Sequence, residues 1–275
     1  MKKISSNAAH LDITPAILIL TGQLRTHPKR GATGTGDKIF IGGFIVDETA
    51  PKEVLVRGMG PVLSQFGITN ALQDPTLQLF CGPTAIASND NWQTDPNHSQ
   101  IPSNKAPADT REAALLTTLV PGAYTAIEAG KNGATGIGLV EAYDMDPTAQ
   151  ARLINGSTRG SVETGEGVLT GGFITNGGYG TTKVLIRALG PTLFQFNVPN
   201  TLADPILTVH DINGNVITSN DNWKNTNEAG ITATRKAPPN DLEAILLTAT
   251  NGNYTAIVSG KNGITGIGLI EVYKQ

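Results

Sequence analysis

GAYTAIEAGKNGATGIGLVEAY, residues 122–143, returns 130 positions later as GNYTAIVSGKNGITGIGLIEVY, residues 252–273. On both sides of the shared KNG, apolar and polar or small residues alternate, the period-two pattern of half-buried strands. Working outward, GGF at 42–44 recurs at 171–173 with an offset of 129. VLVRGMGP at 54–61 becomes VLIRALGP at 184–191, offset 130, and SNDNW at 88–92 returns at 219–223, offset 131. The chain is therefore written twice. The offset changes between 44 and 54, between 80 and 89, and between 112 and 124. The first two of these segments are rich in Gly, Pro, Asp, Asn or Thr, as expected where turns absorb length changes that paired strands would not.

In the second copy, 168–175, 183–189, 206–210, 215–219, 244–249, 254–259 and 265–273 are β-branched or alternating segments, with a further short strand at 157–163. No stretch has the length or period of an ordinary helix. A domain made only of strands buries one sheet on another, so the expected fold class is all-β, with two tandem β-sandwich domains of jelly-roll type. The division is an N-terminal arm at 1–19, repeat 1 at 20–143, a linker at 144–156 and repeat 2 at 157–275, each repeat closing its own interior. DINGN at 211–215 predicts a tight hairpin, and KNG at 131–133 and 261–263 predicts another with a solvated lysine. The first strand of repeat 1 is expected to be altered or missing, because LTGQLRTHPKRGATGTG replaces LINGSTRGSVETG.

Composition narrows the function. There are 20 Lys and Arg against 23 Asp and Glu, a net charge of −3, so no broad basic surface exists to neutralise a phosphate backbone and nucleic acid is excluded as an expected partner. Charged residues make up 16% and glycines number 32, which suits short strands joined by tight turns. One cysteine, Cys81, gives no internal disulfide and no cysteine-based zinc cluster. The longest apolar run near the N-terminus, 16–20, is far short of the roughly 20 residues of a spanning helix, so no membrane span is expected. The basic Met1–Lys2–Lys3 start is followed by polar residues, and no export signal is evident.

NDNW, then AP with an acidic residue, E-A-x-L-L-T, P-G-x-Y-T-A-I and G-K-N-G-x-T-G-I-G-L-V-E-x-Y resemble a tandem repeat of large secreted and surface proteins of environmental bacteria. LINGSTRGSVETGEGVLTGGFI at 153–174 and VLIRALGPTL fit the opening of the same repeat. A more distant likeness is to the pre-peptidase C-terminal sandwiches of secreted proteases. The resemblance implies an extracellular or cell-surface location, a β-sheet fold and no particular reaction.

Candidate sites follow from repeated polar residues. Asn89, Asp90 and Asn91, with Asn220, Asp221 and Asn222, gather oxygen-bearing side chains as a calcium site would, with Asp109, Glu112, Asp241 and Glu243 as further charge; the alternative is an Asx-type turn. Calcium is the one cofactor considered. Trp92 and Trp223 stand at equivalent positions and could stack on a sugar ring or cap one end of a sandwich. Arg57 and Arg187 lie in apolar strands, as do Glu141 and Glu271, and are expected to form one structural ion pair per repeat.

His10, His27, His98 and His210 occupy unrelated repeat positions and no nucleophile-elbow motif occurs, so no catalytic residue is assigned and no enzyme is expected. The expected function is a noncatalytic structural and adhesion module of a bacterial surface or secreted assembly, its partners other surface-protein modules or glycans. The alternatives are a carbohydrate-binding module, and a self-associating filament subunit whose N-terminal arm completes a neighbour's sheet.

Overall fold

A computed structural model describes residues 18–24, 39–47, 50–146, 153–175, 182–250 and 252–274. Repeat 1 contains β1 (Leu18–Leu24), β2 (Phe40–Val46), β3 (Lys52–Met59), β4 (Pro75–Cys81), β5 (Thr84–Asn89), β6 (Ala113–Leu119), β7 (Gly122–Gly130) and β8 (Gly136–Asp144). Repeat 2 contains β9 (Leu153–Val162), β10 (Leu169–Thr175), β11 (Thr182–Leu189), β12 (Pro205–Asp211), β13 (Val216–Asn220), β14 (Ala244–Thr250), β15 (Gly252–Gly260) and β16 (Gly266–Lys274). A short helix, α1 (Glu228–Ala233), lies between β13 and β14.

Within repeat 1 the pairings give β1-β8-β3-β6 and β2-β7-β4-β5; repeat 2 gives β9-β16-β11-β14 and β10-β15-β12-β13. All these pairs are antiparallel, and apart from the β4–β5 and β12–β13 hairpins consecutive strands pass between two four-stranded sheets, in the order of a jelly roll. The chain is an all-β protein of two sandwich repeats.

The repeats are not separate bodies. Strand β1 also pairs with β10, and β9 with β2. Two runs of eight strands result, β6-β3-β8-β1-β10-β15-β12-β13 and β14-β11-β16-β9-β2-β7-β4-β5, each passing through both repeats, and the β1–β9 pairing joins them into one 16-stranded sheet. The exchange has pseudo-two-fold symmetry: Ile19 faces Gly172 as Ser157 faces Gly43, and Gln23 pairs with Ser161 at the centre. The first strand of repeat 1 is thus present in altered sequence, and β1 begins inside the segment expected to be an arm. The expected linker also ends within structure, because 153–156 belong to β9; residues 1–17 and 147–152 lie outside the described residues.

One continuous core follows. Phe40, Val56, Leu77 and Leu115 join Leu153, Leu169, Ile186 and Leu207 in a single buried cluster, which corrects the expectation of two closed interiors. Where the halves meet, a Cβ on Gly160 would lie 3.1 Å from the Phe40 ring and 3.3 Å from Leu169. The physical reason is the edge problem. Strands β1, β2, β9 and β10 would each bound a four-stranded sheet with unpaired backbone groups, and crossing to the other repeat satisfies them.

The turns explain the local sequence. In 211–215 Asp211 and Asn215 close the hairpin, Asp211 N–H to Asn215 O at 3.0 Å, and Gly214 takes φ 82° while the ladder shifts register at Val209/His210. The KNG segments are not hairpins. They carry the chain from β7 to β8 and from β15 to β16, strands of opposite sheets, with Asn132 at φ 55° and Asn262 at φ 56° turning the corner.

Candidate functional site: a loop rim shared by both repeats

Because the ends of β1 and β9 meet at Gln23 and Ser161, the β3–β4, β5–β6 and β7–β8 connections emerge at the same rim as their counterparts in repeat 2. Every polar residue singled out in NDNW, its partners in the KNG corners, and two exposed aromatic turns therefore belong to one side of the molecule.

The long β5–β6 connection folds back over the outer face of its sheet. Beneath it Leu55, Ala114, Leu116, Tyr143 and Ile101 form a second small apolar cluster with Trp92 packed on it. Repeat 2 repeats this with Leu185, Ile245, Ile231 and Trp223. This layer explains why β8 is buried on both faces although it alternates in sequence. Trp223 is only 6% exposed, which goes against the sugar-stacking alternative: the indole is covered by the loop it helps anchor. Trp92 is half-buried and meets His98 edge-on, with ring centroids 6.4 Å apart.

Two ion pairs of the same geometry, one per repeat, sit in the same layer. Arg57 faces Glu141 across β3 and β8, with Nε to Oε2 at 2.8 Å and a second contact from Nη2. Arg57 also donates to Tyr143 Oη at 2.8 Å and to the Lys105 carbonyl, and the Lys105 ammonium lies 4.8 Å from the Tyr143 ring. Arg187, Glu271, Tyr273 and Lys236 reproduce this arrangement: Nε to Oε2 is 2.8 Å, Nη1 to Lys236 O is 2.7 Å, and Lys236 lies 4.5 Å from the Tyr273 ring. Burial, with the neighbouring glutamate, pushes the Tyr273 phenol up to about 12 and raises that of Tyr143 as well. These clusters clamp the loop onto the sheet, their charges and donors largely engaged with one another.

NDNW does not fit a calcium ion. Asn89 Oδ1 accepts from the Ala114 amide at 3.1 Å, and its Nδ2 donates to Asn91 O at 3.2 Å and Thr94 Oγ1 at 3.1 Å. Asn220 likewise accepts from Ile245 N at 2.9 Å and donates to Asn222 O at 2.9 Å. Asp90 pairs with Lys131 at 2.7 Å, and Asp221 with Lys261 at 2.9 Å; each lysine holds its carboxylate below the usual range. Asn91 Nδ2 donates to Asp90 Oδ1 at 3.2 Å, and the Asn222 amide spans Asp241 O and Asp221 O. Among the described residues no group of three or more His, Cys, Asp or Glu is placed to hold a metal. The lysines of KNG, expected only to be solvated, instead tie each corner to the neighbouring NDNW loop.

Glu112 and Glu243, expected as extra metal charge, have a different task. Glu112 Oε1 accepts from Val62 N at 2.9 Å and Gly60 N at 3.4 Å; Glu243 Oε1 accepts from Thr192 N at 2.7 Å and Gly190 N at 3.3 Å. Each carboxylate thus caps the first amides of a 3-10 turn, Pro61–Phe66 or Pro191–Phe196, while the backbone carbonyl of the same glutamate accepts from the backbone amide of Trp92 or Trp223. Burial raises the pKa of both glutamates. The signal was the repeated E-A-x-L-L-T.

Those 3-10 turns present the strongest apolar surface of the rim. Phe66, Phe194 and Phe196 are 78%, 74% and 71% exposed, while Leu63 and Leu193 of the same turns are buried. Nothing in the sequence distinguished them from core phenylalanines, because a six-residue turn is too short to show a period.

No family model matches the chain, and no curated protein matches it. Among solved structures, a similarity is found to a protein described under the triple jelly roll fold and turret assembly in an archaeal virus, with 14% identity and a TM-score of 0.21. The alignment covers 95% of this chain and 56% of that one, so this chain spans little more than half of its length. No helix of the described residues is long and apolar enough to cross a membrane.

Proposed function

We propose that the chain is a noncatalytic spacing and attachment unit of a secreted or surface assembly of a bacterium, holding another surface module against its loop rim. The observation that carries this reading is the placement of Phe66, Phe194 and Phe196 on capped turns at the same rim of a body whose sheets run unbroken through both repeats. Large apolar side chains held out on a rigid frame lose little entropy when they dock, which favours attachment. The rim's charges support the same reading. Asp90 is engaged by Lys131, Asp221 by Lys261, Asp241 by Lys224 and Asp109 by Arg111, pairings that hold loops in shape.

The test uses cells that produce the chain. Antibody labelling of intact cells and of the medium, with wild type and with Phe66→Ser, Phe194→Ser and Phe196→Ser combined, is expected to find wild type retained at the surface and the variant released. Confinement of the wild type to the cytoplasm, or retention unchanged in the variant, overturns the proposal.

A further inference from the structure

We infer that β13 is a self-pairing edge through which two copies of this chain join antiparallel, making the eight-strand run that ends in β13 continuous with its copy. The two long runs end in four strands, β6, β14, β5 and β13. The β6 and β14 edges are occupied. Asn89 takes the Ala114 amide and Asn97 Nδ2 donates to Leu116 O at 2.9 Å; in repeat 2, Asn220 takes the Ile245 amide and α1 packs beside β14. The β13 edge has no such cover. Its ladder runs to β12 on one side, and among the described residues no backbone or side-chain group bonds the other.

A row of free N–H and C=O groups in extended geometry is complemented by another extended backbone, so the edge itself specifies a strand as its occupant. The side chains specify which strand. Val216-Ile217-Thr218-Ser219-Asn220 contains no charge and no proline, its one edge-blunting device being the register shift against β12, and its first three residues are β-branched. Val216 and Ile217 sit at the register shift of the β12–β13 ladder, where Ile217 has no partner on β12, and are 60% and 52% exposed, with Ile212 exposed at the neighbouring hairpin tip. Laid against itself across a two-fold axis, this strand meets no like charge and covers the exposed side chains of Val216 and Ile217. The equivalent strand in repeat 1, β5, carries Ala85 and Ile86 where β13 has Val216 and Ile217, and so offers less apolar surface. The contact therefore closes at a dimer.

Sedimentation velocity of the purified full chain over a concentration series tests this, beside Ile217→Lys, Val216→Lys and the control Ile86→Lys, with thermal melts confirming that each variant folds. The expected result is a concentration-dependent dimer in wild type and Ile86→Lys, and monomer in both β13 variants. Amide exchange adds a readout independent of any variant: protection in 216–220 is expected to rise with wild-type concentration. A wild type that stays monomeric, a dimer unaffected by Ile217→Lys, dissociation caused by Ile86→Lys, or assembly beyond the dimer overturns the inference.

Discussion

Glu128 occupies the space that a side chain on Gly138 would need: a Cβ there would lie 2.1 Å from Glu128 Oε2. The carboxyl is fully buried between the sheets with no side-chain partner, and its counterpart in repeat 2 is the apolar Val258. Burial, reinforced by Glu112 and Glu141, raises its pKa well above the ordinary 4.5, against which only the Met59 backbone amide favours the charged form. Folding therefore takes up a proton at any pH between the ordinary value and the raised one. The favourable difference is fully present below pH 4.5 and is lost as pH rises through the folded-state value. Glu128→Val is expected to raise the melting temperature at pH 8 more than at pH 4; equal shifts would show that the carboxyl is not the titrating group.

Arg57 and Glu141 are both largely buried, so removing one partner strands the other. Arg57→Ala is expected to cost about 3–5 kcal/mol in denaturant unfolding, and Arg187→Ala a similar amount. Replacing both members by apolar residues, Arg57→Met with Glu141→Leu, is expected to cost much less than the single change. A single-variant loss below about 1 kcal/mol would place these pairs with ordinary surface ion pairs.

Glu243 Oε1 accepts two amides at the start of the turn that displays Phe194 and Phe196. Glu243→Ala leaves those buried donors unpaired and is expected to destabilise by about 1–3 kcal/mol per orphaned group. Faster amide exchange at Gly190 and Thr192, with Ala244 of β14 still protected, would locate the damage in the turn.

Calcium titration followed by thermal melting is expected to show no shift, since Asn89, Asp90, Asn220 and Asp221 are committed to protein partners. A cation held only by the folded state raises the melting temperature by mass action, so an upward shift specific to calcium would refute the turn assignment.

The shared interior predicts one cooperative calorimetric transition for the whole chain, because the edges of β1, β2, β9 and β10 are satisfied only across the repeats and one core cluster spans both. Two resolved transitions would mean that the repeats close separately. A chain cut within 147–152 and expressed as either half alone is expected to aggregate or to pair with itself through the exposed β1, β2, β9 or β10 edges.

Strand positions were legible because a period of two survives any arrangement of neighbours; 206–210 and 254–259, read from alternation, lie inside β12 and β15. The Arg57–Glu141 pair was legible for a related reason, since both are charged residues in apolar strands that occur at matching positions in each copy. The role of Asn89 was not. An asparagine that accepts from its own turn, ligates a cation or bonds a strand 25 residues ahead has the same local sequence, and only the fold-back of the β5–β6 connection brings Ala114 within reach. Burial of Trp223 depends on that same fold-back.

From sequence alone came the duplication, the all-β class and the 211–215 hairpin, because these follow from side-chain alternation and from glycine and asparagine tolerating φ angles that other residues avoid. The tertiary structure alone decided that β1 crosses to β10 and β9 to β2. Backbone hydrogen bonds are chemically identical whichever strand supplies the partner, so the choice between closing each repeat and sharing one core rests on which edges are left to be satisfied in three dimensions.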